Sequence, residues 1–389
     1  MTLSEVILLC GIVQGPVTVD QPGIYHSECE LTITNAREVG GISNISDVGK
    51  EVTFPITQGW KGIAQVYVGG VLQHEAREPN GGFTYEPTYD LGVTWYLRDT
   101  PWTLTPIVDA GPESLLDSNY DNRPIIGVYY TGKREYLDDA GEWFQDGNSV
   151  VLRPSTYGKV EVVMKDFCLD VPLVDNVTIS NIKFDKCWKG IRQVNSRNFT
   201  VDNITMGNMV TGIETINVEP YQGNNIVKNS TFDNMEVEAI SLIGLSGGIV
   251  TDNKVKNVGM GESYLLSRPA ITISGGVLAA RNKVKNAHYG GISGNSSDDI
   301  LINSNKVKNT CLKYGDCGAI YTSNSKRAIV SNNKIKNCKN VMKGRLGGWY
   351  LGVGVYFDTG SDYSEAFNNN VFNCDLTSHV NGSIGVIID

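Results

Sequence analysis

The chain has 389 residues, 43 of them glycine, and a formal charge of −9. That acidic balance argues against general nucleic-acid binding, which needs a basic face, and no stretch approaches the ~18 consecutive apolar residues of a membrane span. The eight cysteines include no CxxC pair, so no zinc site is expected, no other metal or cofactor is implied, and the thiols are expected to be reduced.

Residues 6–13 are apolar but short, and Glu5 stands where a signal peptide would carry basic residues. No signal peptide is therefore expected, which suggests a cytoplasmic protein or one released from a virion by lysis. Residues 1–50 include Val17-Thr-Val19 and Leu31-Thr-Ile33, readable as first partial rungs of the repeat described below. Residues 51–158 have a different pattern. Within Ala64-Gln-Val-Tyr-Val-Gly-Gly-Val-Leu-Gln-His74, Gly69-Gly70 supplies the positive φ angles of a two-residue hairpin turn, so this segment is expected to be an antiparallel β insertion.

Residues 159–389 are organised by repetition. Asn282-Lys-Val-Lys-Asn286, Asn305-Lys-Val-Lys-Asn309 and Asn333-Lys-Ile-Lys-Asn337 are near-identical. They extend into an apolar column of Phe184, Met206, Phe232, Val255, Val284, Val307, Ile335 and Val371, spaced 22, 26, 23, 29, 23, 28 and 36 residues apart. A period in the twenties with alternating side chains marks a solenoid whose unit cannot bury its own apolar face; the expected fold is all-β, a right-handed parallel β-helix. Two residues on lies an Asn column: Asn208, Asn234, Asn257, Asn286, Asn309, Asn337 and Asn373. Asn tolerates the left-handed turn conformation, and stacked amides can bond one another as in cross-β ladders, a structural rather than functional role. Cys187, Cys338 and Cys374 follow that turn and read as stacked small apolar residues.

After each Asn turn comes a second strand. Ile213, Ile240, Ile271, Ile292, Ile320 and Val355 are expected inward, which puts Glu214, Ser241, Thr272, Ser293, Tyr321 and Tyr356 outward. The longer rungs gain their length between turn and second strand, and one-sided insertions on a solenoid usually build its binding face. The lysines flanking the inward residue of the first strand form two outward columns, Lys254, Lys283, Lys306 and Lys334 beside Lys256, Lys285, Lys308 and Lys336. They read either as a solvated face or as a docking surface for an anionic glycan or an acidic partner.

Several motifs resemble a known group. Gln65-Val-Tyr-Val-Gly-Gly-Val-Leu-Gln-His-Glu-Ala-Arg-Glu-Pro-Asn80, Gly141-Glu-Trp-Phe-Gln-Asp146, Gly315-Asp-Cys-Gly-Ala-Ile-Tyr-Thr322 and Val355-Tyr-Phe-Asp-Thr-Gly360 are similar, in order, to segments of parallel β-helix glycoside hydrolases. These are the bacterial α-fucosidase, xylanase and β-xylosidase families. The chain departs from them at Gly69 and Cys317, and their usual signal peptide and first rungs are not expected in it. The resemblance implies a catalytic carboxylate pair at Asp316 and Asp358, on an oligosaccharide or polysaccharide substrate. Glycoside hydrolysis needs such a pair, with carboxyls roughly 5 to 5.5 Å apart for retention and roughly 6.5 to 9.5 Å for inversion. Arg268, His288, Tyr289, Tyr321, Trp349 and Tyr356 are the expected substrate-binding residues, with Glu214 and Glu238 as further acids on the same face. Asp316 also reads as an ordinary turn aspartate. A different class remains open: a virion protein, tailspike-like and receptor-binding or structural, working as a homotrimer or with virion partner subunits.

Overall fold

The computed structural model describes residues 1–39, 45–55, 63–78, 130–131, 137, 140–147, 149–217, 223–243, 247–259, 268–312, 317–339 and 351–389. The chain divides into two compact units. One comprises Met1–Asn35 and most of the chain from Asp166 to Asp389; the main segment of the other is Ala36–Lys165.

The larger unit is a right-handed parallel β-helix. Its first-strand column follows the repeat register residue for residue: Phe184 pairs with Met206, Met206 with Phe232, and so through Val255, Val284, Val307 and Ile335 to Val371. From Phe184 to Ile335 these side chains are buried, and they pack into one core with the second-strand column Ile213, Ile240, Ile271, Ile292, Ile320 and Val355. Burying a side chain of this kind contributes about 1.5–3 kcal/mol, and each rung repeats that contribution.

Two asparagine ladders brace the corners. Asn257, Asn286, Asn309 and Asn337 adopt φ of 55° to 59°, and each amide of Asn286, Asn309, Asn337 and Asn373 donates to the asparagine one rung earlier at 2.8–3.0 Å. A second ladder is buried. The Asn253, Asn282, Asn305 and Asn333 amides donate to the Oδ1 of the next rung at 3.0–3.1 Å and to backbone carbonyls at 2.8–2.9 Å. Buried amides are tolerated because these bonds satisfy them.

The N-terminal segment corrects one expectation. A first rung is present and complete: Val17–Thr18 pairs with Leu169 and Asp170, Gly23–His26 with Val177–Ser180, and Leu31–Thr34 with Lys183–Asp185. The strands at Val17 and Ile33, read from sequence as partial rungs, are part of it.

The cysteines correct another. None is reduced; the pairs are Cys10–Cys29, Cys168–Cys187, Cys311–Cys317 and Cys338–Cys374, with Cα separations of 5.7, 5.8, 5.6 and 4.4 Å. Stacking brings sequence-distant positions within bridging distance, so a residue such as Cys374 that reads as an apolar spacer is cross-linked to the rung before it.

In the second unit Ile63–Val68 runs antiparallel to Val71–Glu75, with Gly69 and Gly70 at φ of 56° and 81° in the turn. Val160–Met164 pairs antiparallel with Ile63–Val68 and with Ala36–Glu38. Glu142–Asp146 pairs with Ser149–Arg153, which pairs in turn with Val52–Pro55. Phe54, Ile63, Val66, Trp143, Leu152 and Val162 form part of its core.

Candidate functional site

The outward column of the second strand is continuous through Arg192, Glu214, Ser241, Thr272, Ser293, Tyr321, Tyr356 and His379. Ser241, Thr272, Ser293 and Tyr356 are buried although they point away from the solenoid core. Two clusters of side chains occupy this face.

The earlier cluster is charged. Arg192 donates from Nε and Nη2 to Asp170 Oδ1 and Oδ2 at 2.9 and 2.7 Å and lies over the Phe167 ring at 3.8 Å. Lys189 Nζ donates to Glu214 Oε2 at 2.6 Å and lies 5.0 Å from the centre of the Trp188 ring, which is 6.0 Å from Phe167.

Glu238 completes this cluster through an irregularity of the strand. Met209 pairs with Met235 but Thr211 with Glu238, so the strand Thr231–Ile243 carries one extra residue there. A bulge of this kind re-aims a side chain and is over-represented next to active sites. The Glu238 side chain is only 2% exposed and meets Arg268, 52% exposed, at 3.0 Å from Nη1 to Oε1; Thr272 Oγ1 donates to its Oε2 at 3.4 Å. Burial pushes the Glu238 carboxyl up to about 6; Arg268 opposes that shift, and the negative charge of Glu214 adds to it. Glu214 pairs with Ser241, three residues beyond Glu238, so strand rise and rung spacing separate the two glutamate Cα atoms by about 11 Å. The Oγ of Ser241 is buried with no hydrogen-bond partner among the described residues.

The later cluster is aromatic. Tyr321 and Tyr356 meet edge-on with ring centres 5.1 Å apart, and Tyr356 lies 5.1 Å from His379. The Tyr321 hydroxyl donates to Asp358 Oδ2. Asp358 Oδ1 accepts from Thr359 N at 2.8 Å, Thr359 Oγ1 at 3.3 Å and Asn381 Nδ2 at 2.8 Å.

Of the site residues expected from sequence, Tyr321, Tyr356 and Asp358 come together. Arg268 belongs to the earlier cluster with Glu238. The His288 amide donates to Val258 O at 2.9 Å, and Tyr289 packs partly buried against the core. Asp316 and Trp349 lie outside the described residues. Sequence reasoning did not select Phe167, Asp170, Trp188, Lys189, Arg192 or His379. Carrying the rung register back to Phe167 and forward to His379 would have reached the strands that hold them. Among the described residues no group of three or more His, Cys, Asp or Glu could hold a metal ion, and no helix is long and apolar enough to cross a membrane.

Residues 155–278 match the family model described as right-handed beta helix region. In structure the chain is similar to a solved glycoside hydrolase, with a TM-score of 0.60 and 11% identity, over 98% of this chain and 92% of that one. It is also similar to the solved complex of XylC with xylose, with a TM-score of 0.50 and 10% identity, over 91% of this chain and 63% of that one. At such identities the likeness establishes the fold. No curated protein matches the chain in sequence.

Proposed function

We propose that the protein is carbohydrate-active and cleaves glycosidic bonds at the earlier cluster, with Glu238 as general acid and Glu214 as the second carboxylate. The observation that carries this reading is the contrast between the two acids. Glu238 is desolvated beside another carboxylate and pushed up to about 6, whereas Glu214 is held by the Lys189 ammonium at 2.6 Å. A buried acid raised in this way, with a second carboxylate held by a cation on the neighbouring rung, is an arrangement that an acid–base division of labour can use. Phe167 and Trp188 belong to the same cluster, with Arg192 and Lys189 against one face of each ring, and the opposite faces would give a sugar a place to stack. Access to Glu238 requires its half-exposed partner Arg268 to swing aside when substrate binds. The likeness in fold to a glycoside hydrolase and to the XylC complex with xylose, and the motif resemblance through Val355-Tyr-Phe-Asp358, support a carbohydrate substrate.

The test is hydrolysis of a panel of glycans by wild type and by Glu238→Gln, Glu214→Gln and Asp358→Asn. Loss of turnover in the two glutamate variants with retention in Asp358→Asn is expected. The reverse pattern would return the chemistry to Asp358 and Asp316.

A second reading, a non-catalytic glycan or receptor binder, is favoured by one observation. The Asp358 carboxylate already accepts four hydrogen bonds from its own protein, as in a structural turn. Under either reading four disulfides suit an oxidising compartment better than a reducing cytoplasm.

A further inference from the structure

The first-strand face carries eight lysines in a regular lattice. Lys254, Lys283, Lys306 and Lys334 pair in succession, as do Lys256, Lys285, Lys308 and Lys336, and all eight are exposed. Rungs are about 4.8 Å apart and the two columns about 6.6 Å. The lattice has defined ends: the preceding rung places Thr231 and Asp233 in the same columns, and the following rung Asn370 and Phe372. Asp233 takes Lys256 at 2.6 Å, and Lys336 lies over the Phe372 ring at 5.2 Å. Among the described residues the other six lysines have no ion-pair partner.

A solvated face does not need this arrangement. Interspersed charges of both signs keep a surface soluble without self-repulsion, whereas like charges directly opposite on neighbouring strands destabilise the sheet. The asymmetry is also internal, because Asp185 and Asp233 occupy the second column three and one rungs earlier. Eight positive charges concentrated on one face of a chain whose net charge is −9 call for an anion.

We propose that this lattice binds a linear carboxylated polysaccharide, a polyuronate, independently of the catalytic reading. Its lysines are compact, strongly hydrated charges. Protein interfaces are depleted of lysine and anchored by aromatic and apolar groups, and the lattice has none between its ends. Duplex nucleic acid presents one charge per about 1.7 Å of axis, against one lysine per about 2.4 Å with both columns counted, and it winds its phosphates around a helix instead of setting them along two straight rows. A polyuronate carries one carboxylate per sugar, a repeat set by the length of a pyranose ring and of the same order as the rung spacing. Carboxylates projecting alternately to the two sides of the chain would meet the two columns.

The test is affinity electrophoresis and calorimetry of the full chain with polygalacturonate, beside neutral dextran, duplex DNA and phosphatidylserine vesicles. Wild type is expected to bind polygalacturonate and not dextran, with affinity falling as salt rises. Lys283→Ser, Lys285→Ser, Lys306→Ser and Lys308→Ser together should weaken binding at least tenfold, and arginine at the same four positions should restore it. Should the fourfold serine variant fail to fold by circular dichroism, Lys285→Ser with Lys308→Ser is read instead, and at least a threefold loss is expected. Equal binding by wild type and serine variants overturns the proposal, as does equal retention by dextran or tighter binding to DNA or vesicles.

Discussion

The two clusters on the second-strand face stand on one continuous column, Glu214 to Tyr321 being four rungs or about 19 Å apart, yet they hold their acids in opposite ways. At the earlier end each acid has a cation: Asp170 has Arg192, Glu214 has Lys189 and Glu238 has Arg268. At the later end Asp358 is satisfied by a phenol, a hydroxyl, a backbone amide and a side-chain amide. A carboxylate saturated by neutral donors is fixed in place as an acceptor. One that is desolvated against a half-exposed arginine is poised to gain or lose a proton, and so a fold that repeats its backbone need not repeat its chemistry.

The largest expected effect is catalytic. Glu238→Gln should lower kcat on a cleaved glycan by about 10²–10⁴, the usual contribution of a positioned general acid, while Asp358→Asn should change it less than about tenfold. Steady-state kinetics on both variants decides between the two ends, and a deeper loss in Asp358→Asn would invert the comparison.

The next effect is on stability. Removing the cation leaves the buried Glu238 charge uncompensated; in a fully buried pair that costs about 3–5 kcal/mol, and because Arg268 is half-exposed Arg268→Met should lower unfolding free energy by about 2–3 kcal/mol at pH 8. The penalty should shrink at pH 5, where Glu238 takes up a proton. Arg192→Met acts on the less buried Asp170 and should cost about 1 kcal/mol or less. Urea titrations at both pH values measure this, and equal losses for the two variants would show that burial does not distinguish the pairs.

The pH dependence of wild type should then be visible by itself. The Glu238 carboxyl is raised from 4.5 to about 6 in the fold, so the folded state binds its proton more tightly than the unfolded chain. The stability this adds is full below about pH 4.5 and is lost as pH rises through about 6, a change of about 2 kcal/mol. The difference in unfolding free energy between wild type and Glu238→Gln should follow that slope. A flat difference from pH 4 to 8 would mean that folding leaves the Glu238 carboxyl titrating as it does in the unfolded chain.

The solenoid was legible because its period is written in side chains that must repeat. Phe184 to Val371 form one column since each rung buries the same position, and the outer asparagines recur since each corner needs a left-handed turn. The buried ladder was in plain view as the first residue of each Asn-Lys-Val-Lys-Asn unit, but sequence cannot tell an inward amide from an outward one. The disulfides escaped because bridging in a solenoid depends on stacking, so Cys338 and Cys374 are neighbours despite 36 intervening steps of chain. Glu238 was visible only as a further acid. Its environment depends on one inserted residue between Met235 and Glu238 relative to the preceding rung, and a shift of that kind cannot be placed by a repeat that tolerates spacings from 22 to 36.

The smallest expected effect tests the later end alone. Tyr321→Phe removes one of four hydrogen bonds to Asp358 and leaves the edge-on contact with Tyr356 nearly unchanged. A single hydrogen bond contributes about 0.5–1.5 kcal/mol net, and one to a charged acceptor about 1.5–3. Asp358 keeps Thr359 and Asn381 on its other oxygen, so the loss should fall at the lower figure, about 1 kcal/mol, in thermal or urea unfolding. Turnover should change little, because in the proposed reading the proton transfer takes place at the earlier cluster. A loss above about 3 kcal/mol would mean that the phenol is the main support of the carboxylate. A large fall in kcat with stability preserved would place Tyr321 and Asp358 in the reaction, making the later cluster the active end.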